Sequence, residues 1–272
     1  LDPASEPVTW SQIIEAAEQT GTTVAVQANR YEGYTVWINA LIEGAGTSVI
    51  ENPDAPVEEL QYGLGSDAAG EAAAVIRQLV DAGVGGPALS TNGEEEARAL
   101  FQGDSGGFMV NWPYVWQAWQ GEVEGGTLDQ SFLDDVGWTV YPRTVEGEES
   151  APPFGGITLA MGAFTRYPEE AVEAAACITT PESQKEYMLF SGNPAAAAEV
   201  YDDPEVVEAF PMAPEIRESL EQAAPRPQTP YYGEVSASLQ RTYHPPSAVD
   251  PESTPRRAQE LIDGVLNKEV LL

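Results

Sequence analysis

The sequence predicts an α/β protein, and three observations carry that prediction. Runs of β-branched and apolar residues alternate with segments whose apolar residues recur three and four positions apart. Those segments begin on capping residues or proline and tend to stop at glycine. The 272 residues, 42% hydrophobic and 9% aromatic, are enough for one large domain or two modest ones with a buried core.

Taken in order, Thr9 to Gln12 has the form of a capping box, and Ile13, Ile14 and Ala17 behind it predict a first helix. Thr22–Val26 reads as a short strand. From Arg30 to Glu43, residues Tyr34, Trp37, Ile38, Leu41 and Ile42 recur at helical spacing until Gly44 and Gly46 stop them. Residues 47–66 form a polar insert. Asp67–Asp81 is the clearest helix, with Ala72, Val75, Ile76, Leu79 and Val80 on one stripe. Glu94, Glu95 and Glu96 load the first turn of the next helix, which ends near Gln102. Phe108–Asn111 is expected as a strand feeding an aromatic segment of Trp112, Tyr114, Trp116 and Trp119. Val136–Tyr141 and Gly156–Phe164 are expected as further strands, with a loop at 144–153 between them. Pro168, followed by Glu169 and Glu170, opens a helix, and Thr180-Pro181-Glu182 opens another. A proline-rich stretch, Ala224–Tyr232, precedes a last amphipathic helix, Pro255–Leu266.

Composition excludes several functions. Twelve Lys and Arg against 44 Asp and Glu leave a formal net charge of −32, which repels nucleic acid and anionic lipid surfaces. The hydrophobic content is too high for a disordered acidic chain. One cysteine, Cys177, excludes an intrachain disulfide and a Cys-cluster zinc site, and its Ala-rich setting predicts a buried small hydrophobe. One histidine, His244, excludes paired-histidine metal chemistry, and the context Thr242-Tyr243-His244-Pro245-Pro246 predicts a satisfied structural side chain. Gly63-Leu64-Gly65 with Gly70 misses a dinucleotide loop, because the third glycine is two residues late and no strand leads in. No run approaches the ~18 apolar residues of a bilayer span. No cofactor and no metal are implied.

The aromatic segment points to chemistry. A sugar offers flat C–H faces and a rim of hydroxyls, so its site wants aromatic platforms and planar polar side chains. Trp112 leaves the expected strand first and is the best platform candidate; Tyr114 and Trp116 follow it. Arg226, between two prolines, presents a guanidinium fork suited to diols or carboxylates. Core packing for the aromatics and a surface ion pair for Arg226 are the competing readings. A glycoside-active enzyme using two carboxylates, or an adhesive scaffold protein, are the alternatives to a binding protein.

Four stretches resemble the family 1 extracellular solute-binding proteins of ABC sugar importers. They are Arg30-Tyr31-Glu32-Gly33; Leu100-Phe101-Gln102-Gly103 with Phe108-Met109-Val110-Asn111-Trp112-Pro113; Gly155-Gly156-Ile157-Thr158-Leu159-Ala160 with the later Thr180-Pro181-Glu182-Ser183-Gln184; and Pro225-Arg226-Pro227-Gln228-Thr229-Pro230-Tyr231-Tyr232. Within the family the chain looks most like the actinobacterial trehalose-binding lipoproteins. The resemblance implies a periplasmic-binding-protein type II fold with two lobes, of which this chain holds the second lobe plus part of the first, truncated at the N-terminus. Residues 1–158 would form the main part of the C-terminal lobe, 159–222 a helical segment that packs on the N-terminal lobe, and 223–272 a return to the C-terminal lobe. Apolar surface meant for the missing lobe would then be exposed or used in self-association. It implies a disaccharide in an interlobe cleft, no catalysis, and delivery to the permease transmembrane subunits. It also implies a cell-surface lipoprotein whose only membrane attachment is a lipid on the missing N-terminus. Carried over residue by residue, Tyr31 and Glu32 look like ligand contacts, Trp112 like the stacking platform, and Gly155 and Gly156 like a close backbone approach. Arg226 looks like a hydroxyl clamp, with Tyr114 and Trp116 as further contacts.

Overall fold

A computed structural model describes residues 7–272; the Leu1-Asp2-Pro3 start lies outside the described residues. The chain divides into two compact units. The first comprises residues up to Asn111, Tyr141–Phe154 and Gln222–Leu272; the second comprises Trp112–Val140 and Gly155–Glu221.

In the first unit, α1 (Trp10–Thr20) starts on the expected capping box: Gln12 N–H donates to Thr9 Oγ1 at 3.2 Å, and Thr9 N–H donates to Gln12 Oε1 at 2.8 Å. Its C-cap, Gly21, has φ 70°, a left-handed conformation that glycine adopts without steric cost. Next come β1 (Thr23–Ala25), α2 (Glu32–Glu43), α3 (Asp67–Asp81), α4 (Glu94–Gln102) and β2 (Gly106–Met109). Strands β1 and β2 pair in parallel, Val24 opposite Phe108 and Ala25 opposite Met109, with α2 to α4 between them in the chain. After the return at Gln222 the unit closes with α11 (Tyr232–Tyr243) and α12 (Thr254–Leu266).

Its core is aromatic and branched aliphatic. Trp10 sits 5.6 Å from both Trp37 and Tyr141, tilted against one and edge-on to the other. Ile14, Tyr34, Ile38, Leu41, Ile76, Leu79, Leu239, Tyr243 and Ile262 complete it. Each such side chain contributes roughly 1.5–3 kcal/mol when fully buried. The Tyr34 hydroxyl donates to the Tyr243 carbonyl at 3.1 Å, which ties α2 to the end of α11. Gly63-Leu64-Gly65 is a single 3-10 turn leading into Ser66, whose hydroxyl caps α3. His244 Nε2 donates to the Ser90 carbonyl at 3.0 Å, a structural contact of the expected kind.

The second unit contains α5 (Tyr114–Glu124), α6 (Gln130–Asp135), α7 (Pro168–Ile178), α8 (Pro181–Ser191), α9 (Pro204–Ala209) and most of α10 (Ala213–Gln222). Trp116 is buried, edge-on to Trp138 at 5.1 Å, and its indole N–H donates to the Ala209 carbonyl at 2.9 Å. Trp119 packs edge-on to Phe132 at 5.1 Å. Gln117 Nε2 donates to the carbonyls of Leu189 and Phe190, which joins α5 to α8.

Three sequence expectations fail. Val136–Tyr141 and Gly156–Phe164 form no strand. A strand exists by pairing, and among the described residues neither segment joins a strand ladder. Unpaired, Ile157 is 72% exposed and Phe164 98%. Cys177 is exposed rather than buried, because no residue of α7 is buried.

Candidate functional site

The first unit brings Glu32 and Arg226 together across 194 residues of sequence. Tyr31 is the N-cap of α2, so Glu32 stands in the first turn, where a carboxylate suits the helix dipole. Arg226 reaches it from the proline-rich stretch, with Nη1 2.9 Å from Glu32 Oε1. The same oxygen accepts a short hydrogen bond from the Tyr232 hydroxyl, and Oε2 accepts from Ser236 Oγ at 2.6 Å. Burial, then the hydrogen bond to Glu32, raise the Tyr232 hydroxyl pKa well above the usual phenol value. Tyr232 therefore keeps its proton and acts as a hydrogen-bond donor at any physiological pH.

Behind this lies a polar seam. Glu32, Thr35 and Asn39 stand at i, i+3 and i+7 on α2; Tyr232, Ser236 and Gln240 stand at i, i+4 and i+8 on α11. Thr35 and Ser236 hydroxyls are 2.9 Å apart, and Gln240 Nε2 lies 2.9 Å from Ser236 Oγ and 3.3 Å from Thr35 Oγ1. Asn39 Nδ2 donates to the Pro225 carbonyl at 3.3 Å, holding the residue before Arg226. Thr35, Asn39 and Ser236 are buried, and buried polar groups persist where they are bonded.

Tyr31 is half-buried beside Gly33. A Cβ on Gly33 would lie 2.2 Å from the Tyr31 hydroxyl, so any larger residue there displaces the ring.

In the second unit, Trp112 and Gly155 are brought together: a Cβ on Gly155 would stand 2.8 Å from the indole. Gly155 thus stands directly against the Trp112 ring. No atom lies within 4 Å of a Cβ placed on Gly156. Tyr114 opens α5, half-buried, while Trp116 is packed in the unit's interior with its N–H occupied.

Tyr232, Ser236, Thr35, Asn39 and Gln240 were not singled out from sequence. For Thr35 and Asn39 a signal was available: polar residues at helical spacing inside α2, a helix otherwise buried almost along its length.

Comparison with known proteins supplies the context. The profile of a family described as bacterial extracellular solute-binding protein matches residues 2–215. A Deinococcus radiodurans protein named as a probable ABC transporter-binding protein is 28% identical over 279 residues, which is 96% of this chain and 60% of that protein. Maltose-bound MalE3 of T. maritima is 28% identical with a TM-score of 0.75, over 97% of this chain and 66% of its own. The maltose-maltodextrin binding protein of Alicyclobacillus acidocaldarius is 22% identical with a TM-score of 0.70, over 94% and 65%. The chain therefore spans less than two thirds of each of these three proteins. The expected type II periplasmic-binding fold is the fold of these neighbours.

Proposed function

We propose, on the premise that this chain belongs to the family of bacterial extracellular solute-binding proteins, that it is part of a sugar receptor serving an ABC importer. In this reading it binds a disaccharide, trehalose or a close relative, and presents it unaltered to the permease subunits. The observation that carries the reading is the likeness to a maltose-bound protein over 97% of this chain. The name of the Deinococcus relative supports the transporter assignment.

In the first unit Arg226 clamps sugar hydroxyls and Tyr31 adds an aromatic edge; in the second unit Trp112 supplies a stacking face. Residues 159–222 pack on an N-terminal lobe of the whole protein. Support comes from the apolar side chains this stretch leaves uncovered, among them Phe164 and Phe190, which is 83% exposed. A lipid on the whole protein's N-terminus would hold it at the cell surface.

Titration calorimetry of trehalose, maltose and sucrose tests the reading, run on this chain and on a version extended to the length of its relatives. The extended version is expected to bind trehalose saturably and return it uncleaved. Binding of none of the three, or release of glucose, overturns the assignment.

A further inference from the structure

The seam between α2 and α11 has a direction. Ser236 has one hydroxyl proton, and it goes to Glu32 Oε2. The Thr35 hydroxyl is therefore the donor toward Ser236 Oγ, and Gln240 Nε2 donates to the same atom. Donors thus run from the buried middle of the helix pair outward to one carboxylate, and such chains reinforce one another. At the carboxylate, Ser236, Tyr232 and Arg226 take three of about four acceptor sites. Three of its acceptor sites are thus spent inside the protein, although 45% of the Glu32 side chain stays exposed. Among the described residues the Arg226 guanidinium, a five-donor fork, is seen to spend one Nη1–H on Glu32, and 28% of the side chain is exposed. Asn39 fixes the backbone one residue before it.

We propose that Glu32 is a positioning residue, held by Tyr232 and Ser236, and that it orients Arg226 so that the guanidinium, and not the carboxylate, meets the ligand hydroxyls. The ligand half of this inference rests on the sugar-binding reading. The positioning half does not.

The test has two arms. Nitrogen-15 NMR of the Arg226 side chain in sugar-free protein reads its order directly. In wild type the Nη signals are expected to be distinct; in Tyr232→Phe they are expected to average. Calorimetry with trehalose and maltose, on the extended protein, reads the consequence. Tyr232→Phe is expected to weaken sugar binding about tenfold, since a hydrogen bond to a charged group is lost. In an Arg226→Met background the same change is expected to cost less than about twofold, because it acts through the absent guanidinium.

Distinct Nη signals in Tyr232→Phe overturn the positioning. So does an equal loss of affinity in both backgrounds. Loosening of the guanidinium with no sugar bound by wild type upholds the positioning and refutes the sugar reading. If Tyr232→Phe fails to fold, Glu32→Gln must loosen Arg226 in its place; an unchanged spectrum there overturns the inference.

Discussion

Ser236 shows how much one hydroxyl organises. It donates to Glu32 and accepts from Gln240 and Thr35, and it is buried. Ser236→Ala leaves those partners unsatisfied in a water-poor seam, so the unfolding free energy in urea is expected to fall by about 1–3 kcal/mol. Glu43 carries a different electrostatic lesson. Burial raises its pKa above the usual 4.5, and the bond from Ser48 only partly offsets that. The folded state therefore holds this proton more tightly than the unfolded chain. Its contribution is fully favourable below about pH 4.5 and is lost as pH rises through the raised value. Glu43→Gln is expected to unfold at higher temperature than wild type at pH 7, with the advantage vanishing in acid. An advantage independent of pH would contradict this. At this scale Arg226 and Trp112 stood out by residue type and Glu32 by family resemblance, but the pairing of Arg226 with Glu32 is visible only in the structure. The roles of Tyr232 and Ser236 were not legible, because they depend on a pairing of helices about 200 residues apart, as the Glu32–Ser236 separation of 204 shows.

Among the elements, helices were the most legible. Ser66 as cap and the 3.6-residue stripe of α3 specify Asp67–Asp81 locally, and the structure has those bounds. Strands were less so, since a strand is specified by its partner. Val24 and Phe108 find each other and form the parallel pair. Gly156–Phe164 has the composition of a strand but joins no strand ladder among the described residues. The turn into β2 is specified by space: a Cβ on Gly106 would lie 1.8 Å from the Phe101 carbonyl oxygen. Backbone cannot yield as a side-chain tip does, so Gly106→Ala is expected to cost about 3 kcal/mol or more in chemical denaturation. A variant as stable as wild type would mean the α4–β2 connection is slack.

Over the whole chain, charge and uncovered apolar surface set the behaviour. With a formal net charge of −32, self-repulsion works against the compact state. The ion pairs that oppose it, such as Arg77 with Asp81 and Lys185 with Asp203, are solvent-screened surface pairs that contribute little. Screening is therefore expected to help more than it harms: the thermal midpoint should rise from low salt to about 1 M sodium chloride, where the Debye length is ~3 Å. A falling midpoint would show that ion pairs outweigh the repulsion. Composition made the acidity plain, but which apolar residues stay uncovered was not, because exposure is a property of the assembled units.

The most direct measurement is a paired calorimetric titration of trehalose and maltose into the extended protein, wild type and Trp112→Ala. Wild type is expected to bind at least one of the two sugars saturably, and loss of the aromatic platform is expected to weaken that binding at least tenfold, the scale of about 1.4 kcal/mol or more for a removed stacking face. Equal affinity in the two proteins would contradict the placement of the sugar on Trp112, and no heat from either sugar would contradict the receptor itself.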